Sequence, residues 1–196
     1  MALTPLSDAL STLLAQVDLT PETEWVALEA AGGRYAAEAV HSTLSVPPAD
    51  NSAMDGFAVR AGDLPAVQRV SQRIPAGSAP TALEPGTAAR IFTGAEIPEG
   101  ADTVVLQEDT EQVDEGVWLP EAREGQHIRR RGGDIQPGQE LVAAGSYLRP
   151  QDIGLLASVG LDAVQVFQPL TVAVLTTGDE LREPGNGDLL SGEIYN

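Results

Sequence analysis

The stretch PPADNSAMDGFAVR, residues 47–60, is where the chain changes texture. Two prolines open it, Asp50 and Asp55 stand in the loop that follows, and its end, GFAVR, reads as a short strand. From Pro47 to about Gly138, short β-like runs alternate with Gly/Pro punctuation: GFAVR, AVQRVSQRI, GTAARIF, DTVVLQEDTEQV, GVWLP and QHIRRR. The Asp114–Glu115–Gly116 tip between EQV and VWL reads as a hairpin turn. Strands at this spacing predict a small, mostly β domain over residues 47–139.

The flanks read differently. On the N-terminal side, TPLSDALSTLLAQV (4–17) offers Thr4 as a hydroxyl N-cap and Pro5 as the first helical residue. Leu6, Leu10, Leu13, Leu14 and Val17 recur at helical spacing, so an amphipathic helix packing on its apolar face is expected. In TEWVALEAAGGRYAAEAV (23–40), Glu24 to Leu28 suits a short strand. The Ala-rich remainder suits a short helix weakened by Gly32 and Gly33. On the C-terminal side, RPQDIGLLASVG predicts a helix that begins at Pro150 and ends at Gly160. Two strand candidates follow, DAVQVFQ (162–168) and LTVAVLTTGDEL (170–181). The second is β-branched and apolar on both faces, which reads as a buried parallel strand. Such a strand needs a crossover and a neighbour, so the chain is expected to be the front portion of a longer protein with a third domain barely begun.

Composition removes whole classes of chemistry. Among 196 residues there is no cysteine, which excludes disulfides, thiolate metal sites and cysteine nucleophiles. All eleven basic residues are arginine, so a Walker A lysine, a Schiff-base lysine and a lysine-borne carrier group are excluded too. Only His41 and His127 supply imidazole. The formal net charge of −18 argues against nucleic-acid binding, which depends on cationic side chains neutralising phosphates. No apolar run approaches a membrane span, and MALTPLSDAL lacks the features of a signal peptide, so a cytoplasmic protein is expected. What remains is carboxylate, hydroxyl, guanidinium and backbone-amide chemistry.

Four stretches concentrate that chemistry. The first is the loop bearing Asp50, Asn51, Ser52 and Asp55, residues that equally suit an ordinary turn. In the second, IFTGAEIPEGADTVV, a strand runs into Thr93–Gly94–Ala95, where glycine lets backbone amides approach an anion; a plain strand-end turn is the alternative. The third, HIRRRGGDIQPGQEL, sets Arg129, Arg130 and Arg131 before Gly132, Gly133 and Asp134. It suits either oxyanion recognition or a solvated basic edge. The fourth, LTTGDEL, places Gly178, Asp179 and Glu180 at a strand's C-terminal edge, where ligand crevices of open α/β sheets lie. Together they describe a site where glycine-exposed amides and arginines meet an anion while carboxylates hold a cation. Ser52, Gly94, Arg130 and Gly178 are the candidates for contact with that anion.

PPADNSAMDGFAVR, RIFTGAEIPEGADTVVLQED, IRRRGGDIQPGQEL and VAVLTTGDEL stand in the order seen in the MoeA family of molybdopterin molybdenumtransferases, which the chain resembles over essentially its whole length. The gephyrin E domain is a eukaryotic member. The resemblance implies an α+β, mostly β fold. A discontinuous α/β first domain (1–46 and 140–168) is interrupted by the β-rich second domain (47–139), and residues 169–196 begin a doubly wound, molybdopterin-binding α/β third domain. It implies insertion of molybdate into adenylylated molybdopterin with release of AMP, dependent on Mg²⁺ or another divalent cation. It also implies a homodimer and an upstream molybdopterin adenylyltransferase.

Position by position, the resemblance makes Asp55, Thr93, Asp134 and Glu180 the catalytic candidates. Asp55, Asp134 and Glu180 would handle cation and pyrophosphate, and Thr93 the oxyanion or phosphate. Two departures stand out: Gly133 where many members carry an acid, and Phe57 where tyrosine is usual. A reading from another class keeps the fold but not the chemistry, as a non-catalytic dimerisation or scaffold module.

Overall fold

The computed structural model describes residues 4–17 and 21–196. The first three residues of MALTPLSDAL, and residues 18–20 of the expected first domain, lie outside the described residues. The chain divides into two units, residues 25–166 and a second that joins 1–24 with 167–196. In chain order the elements are α1 (Leu6–Leu14), β1 (Thr23–Ala27), β2 (Val40–His41), β3 (Asn51–Ser52), β4 (Gly56–Val59) and β5 (Ala66–Ile74). Then come β6 (Thr87–Ile91), β7 (Thr103–Leu106), β8 (Glu111–Val113), β9 (Gly116–Leu119), β10 (Ile128–Arg129) and β11 (Glu140–Val142). The last are α2 (Pro150–Ser158), β12 (Ala163–Phe167), β13 (Leu181–Arg182) and β14 (Ile194–Tyr195). The chain is mostly β with few helices, as the sequence implies.

The strand that ends PPADNSAMDGFAVR lies inside a six-stranded sheet of order β7-β4-β6-β5-β9-β8. Alternation along β4 sends Ala58 to one face, among Ile74, Ala89, Ile91 and Val104. It sends Phe57 and Val59 to the other, among Ala88, Val105, Val117 and Leu119. Both faces are covered, so all four residues of β4 are buried. Gly56 is required by close approach rather than by a turn: a Cβ there would lie 1.9 Å from the Val105 carbonyl oxygen of β7. Neighbours in the sheet are antiparallel except β5 and β6, a parallel pair that the all-β reading does not anticipate. The hairpin expected at Asp114–Glu115 forms, with Val113 opposite Gly116.

A separate cluster joins Leu28, Ala31 and Ala36 to Val142, Leu148, Leu156, Val164 and Val166. β2 runs antiparallel to β11, and β1 pairs with β12. The Ala-rich stretch after β1 makes only a short 3₁₀ turn, Leu28–Ala30, and isolated bridges at Tyr35 and Ala36. A helix stops there because Gly33 takes φ +82°. α2 begins at Pro150 as expected, its first turn held by Asp152, which accepts the Arg149 backbone N–H at 2.9 Å.

In the unit made of 1–24 and 167–196, expectations for α1 and for LTVAVLTTGDEL are corrected. Pro5 is the N-cap of α1 and Thr4 precedes it, with no side-chain cap bond. The apolar face of α1 does not pack: the helix has no buried residue, and Leu6, Leu10, Leu13 and Leu14 are exposed. The second correction concerns LTVAVLTTGDEL, which forms no strand before Leu181, while Val172, Val174 and Leu175 are exposed. A buried parallel strand needs partners along its edges, and no described strand runs beside residues 170–178. The strands that form here are the parallel pair β13–β14, tied by an Arg182–Glu193 ion pair of 2.9 Å.

Candidate functional site

A two-residue strand gathers three of the four polar stretches. β3, in the loop after Pro47, pairs antiparallel with β10, so Ser52 stands opposite Ile128 and Asn51 opposite Arg129. On its other side the loop meets the turn after β6. Asn51 bridges Glu96, the Ile97 N–H donates to the Asp50 carbonyl at 2.8 Å, and the Ser52 N–H donates to the Ala95 carbonyl at 2.8 Å. A bridge between Val46 and Ile135 fixes the loop's start against the segment after Asp134. The opening loop, the Thr93 turn and the arginine–glycine segment thus form one surface.

At its centre Asp55 and Thr93 are joined. Asp55 Oδ1 accepts both the Thr93 backbone N–H and the Thr93 hydroxyl, each at 2.7 Å. The Thr93 amide is the main cause holding this carboxyl below the usual carboxylate range. The Thr93 hydroxyl adds to it, slight desolvation opposes it, and the charge of Arg90 contributes a smaller pull. Asp55 is therefore a half-buried, ionised and fixed carboxylate.

The amides of the turn do not form the expected anion cradle. The Gly94 N–H donates to the Ser52 carbonyl at 2.9 Å and the Ala95 N–H to the Phe92 carbonyl at 2.9 Å. Gly94 is there for its φ of +83°, which closes the turn. Beside it lies a cleft of about 290 Å³ lined by Pro48, Asn51, Ser78, Gly94 and Glu96, among others.

The remaining candidates divide by partner. Ser52 is buried and its hydroxyl donates to the Met54 carbonyl, so it shapes the loop rather than meeting a ligand. Arg130 pairs with Asp50 at 2.6 Å, and the Arg131 backbone N–H donates to the other Asp50 oxygen at 2.8 Å. Asp50 is thereby the structural acid of the loop. Arg129 pairs with Asp134 at 2.5 Å, which leaves Arg131, among the described residues, as the one arginine of the run without an acid partner. At Gly133 a Cβ would stand 3.0 Å from the Arg130 carbonyl oxygen, so a side chain there would need that turn to give slightly. Glu180 and Gly178 belong to the other unit. A Cβ on Gly178 would meet the Glu180 carboxylate at 2.5 Å.

Asp55, Asp134 and Glu180 are the cation ligands that the resemblance implies. Asp55 is bonded to Thr93, Asp134 to Arg129, and no three acid or imidazole groups converge among the described residues. Within residues 25–166, Asp55 and Asp134 do not make a cation site by themselves.

A residue that sequence reasoning passed over lies beside Asp55. Arg90, on β6 opposite Phe57 of β4, sits over the rings of Phe57 (5.3 Å) and Phe92 (4.5 Å). It donates to the Gly56 carbonyl at 2.8 Å, to the Ile91 carbonyl at 3.0 Å, and to the Gln107 side-chain oxygen. The available signal was an arginine on an apolar strand, two residues before the phenylalanine that leads into the Thr93 turn.

Comparison with known proteins bears directly on this surface. The family described as the MoeA N-terminal region (domain I and II) matches residues 4–160, a span that includes Asp55, Thr93, Arg90 and Asp134. The chain belongs to the MoeA family. It is 43% identical over 178 residues to the molybdopterin molybdenumtransferase of Nostoc sp., covering 86% of this chain and 41% of that protein. It is 41% identical over 197 residues to the Haemophilus influenzae molybdopterin molybdenumtransferase, covering 97% of this chain and 48% of that protein. The crystal structure of the molybdopterin biosynthesis MoeA protein from Pyrococcus horikosii superposes with a TM-score of 0.88 at 37% identity, covering 100% of this chain and 52% of that one. This MoeA-family chain thus spans about half the length of its relatives. Among its described residues, no helix is long and apolar enough to cross a membrane.

Proposed function

We propose that this chain is the front part of a molybdopterin molybdenumtransferase, which inserts molybdate into adenylylated molybdopterin with release of AMP. The observation that carries the reading is the Asp55–Thr93 contact: a carboxylate fixed by two bonds of 2.7 Å at the meeting point of three polar stretches. Its work in the reaction is electrostatic and positional. An ionised acid held in one rotamer presents an acceptor where the substrate docks and reorganises little as charge shifts. Thr93 orients that acid, because its hydroxyl proton is committed to Asp55. Arg131 is the arginine of the run left to meet an anionic substrate.

The same proposal includes a homodimer, a cytoplasmic site of action, a divalent cation such as Mg²⁺ brought with the substrate, and a molybdopterin adenylyltransferase supplying it. It also holds that the 196-residue chain alone does not complete the reaction, because the run leading to Glu180 has no partner strand among the described residues.

The test is complementation of a bacterial strain lacking its own molybdenumtransferase. Asp55→Asn in the full-length protein should lower molybdoenzyme activity by about 100-fold or more while protein level stays unchanged. Wild-type activity from Asp55→Asn would remove the contact that carries this reading and overturn it.

A further inference from the structure

We infer that Arg90 is a positioning residue for the Asp55–Thr93 pair, clamping together the three chain segments on which that pair depends. The inference rests on the function proposed above and adds to it a residue that acts without touching substrate.

The segments come from different strands. Asp55 precedes Gly56 at the start of β4, Thr93 follows Ile91 and Phe92 after β6, and Gln107 follows β7. Arg90 Nη1 donates to the carbonyls of Gly56 and Ile91, so one nitrogen ties the first two segments together. Nη2 donates to the Gln107 side chain, and the Gln107 backbone N–H in turn donates to the Asp55 carbonyl at 3.1 Å. Asp55 is thus held at its carbonyl through Gln107 and at its carboxylate through Thr93.

Packing fixes the guanidinium plane. It lies over Phe57 and Phe92, and Phe92 is covered in addition by Arg73, whose guanidinium carbon is 4.5 Å from the ring centroid. Phe92 is the residue immediately before Thr93, so this stack sets the direction in which the Thr93 amide and hydroxyl point. The role needs a planar fork with donors on two nitrogens and a face that stacks. Lysine has neither property. A shift of about 1 Å at a positioned group can cost about 100-fold in rate.

The experiment compares Arg90→Lys, Asp55→Asn and the double variant in the full-length protein. Single-turnover kinetics keep low rates readable, and amide hydrogen exchange at Thr93 is followed in the 196-residue chain. Arg90→Lys should lower the turnover rate about 10- to 100-fold with KM changed less than about threefold, and should speed exchange of the Thr93 amide. The double variant should be no slower than Asp55→Asn alone, because both changes break one unit. Gln107→Leu, which removes the other end of the clamp, should reproduce the Thr93 exchange effect in case Arg90→Lys folds poorly.

An unchanged rate in Arg90→Lys alongside a loss in Asp55→Asn overturns the inference and leaves the proposed function standing. So do losses that multiply in the double variant. Full activity in Asp55→Asn overturns the proposed function, and this inference with it.

Discussion

The runs GFAV (56–59) and VAVL (172–175) are close to interchangeable as composition, yet the first is buried at every residue and the second exposed at every residue. The difference lies in their edges. β4 has β7 on one side and β6 on the other, so its backbone groups are paired and alternate side chains enter two separate clusters. Residues 172–175 have no partner strand among the described residues, and the same apolar, β-branched character buries nothing. Strand propensity states what a segment suits; the neighbouring strands decide whether it is satisfied.

The sharpest way to break that comparison is at the edge β4 shares with β7. Gly56→Val places a side chain where even a Cβ would sit 1.9 Å from the Val105 carbonyl oxygen. The obstacle is backbone, which cannot swing aside as a long side chain does, so β4 must leave β7 or the sheet must spread. Denaturant unfolding of the chain should show a loss of about 3 kcal/mol. A loss below about 1 kcal/mol would mean that the β4–β7 edge is not what holds this strand inside the sheet.

How much of this was readable beforehand depended on whether the deciding contacts were local. β5 matches the run AVQRVSQRI and α2 starts at Pro150, because alternation, proline and glycine act within a few residues. QHIRRR suits a longer strand than forms. β10 ends at Arg129 because Asp50, eighty positions away in sequence, draws in the Arg130 guanidinium and the Arg131 amide. Asp55 and Thr93 were singled out from loop composition and from the resemblance, but that their groups bond one another is a tertiary fact. The expected amide cradle failed for a similar reason, since Gly94 and Ala95 spend their N–H groups on Ser52 and Phe92. Arg90 escaped notice because its role appears only once Phe57, Phe92 and Gln107 are placed around it.

A smaller effect tests the loop that leads into β4. The Asp50 carboxyl lies below its usual range, chiefly because the Arg131 amide donates to it; burial works against this, and the Arg130 guanidinium reinforces it. A depressed folded value means that the stabilisation is complete above the unfolded carboxylate value, near 3.9, and is lost as pH falls through the folded one. Because the side chain is about a third exposed, solvent screening holds the contribution to about 1 kcal/mol. Asp50→Asn should therefore be less stable than wild type by about that amount at pH 7, and the gap should close progressively as pH falls below about 4. Parallel stability curves across that range would separate Asp50 from the charge-assisted bonds assigned to it.

The smallest effect belongs to the unpaired run. Val174→Ser removes apolar surface that is already 82% exposed and inserts a hydroxyl that water can satisfy. In the 196-residue chain it should change stability by less than about 0.5 kcal/mol. In the full-length protein the outcome depends on whether LTVAVLTT gains a sheet. If it becomes the buried parallel strand that its pattern suits, the same serine loses the burial of a valine side chain and must find a new hydrogen-bond partner, at a cost of about 2 kcal/mol. Equal, small effects in both proteins would show that the segment stays unpaired in the longer chain. A near-neutral change in one and a large change in the other would show that partner strands, and not the residues themselves, separate VAVL from GFAV.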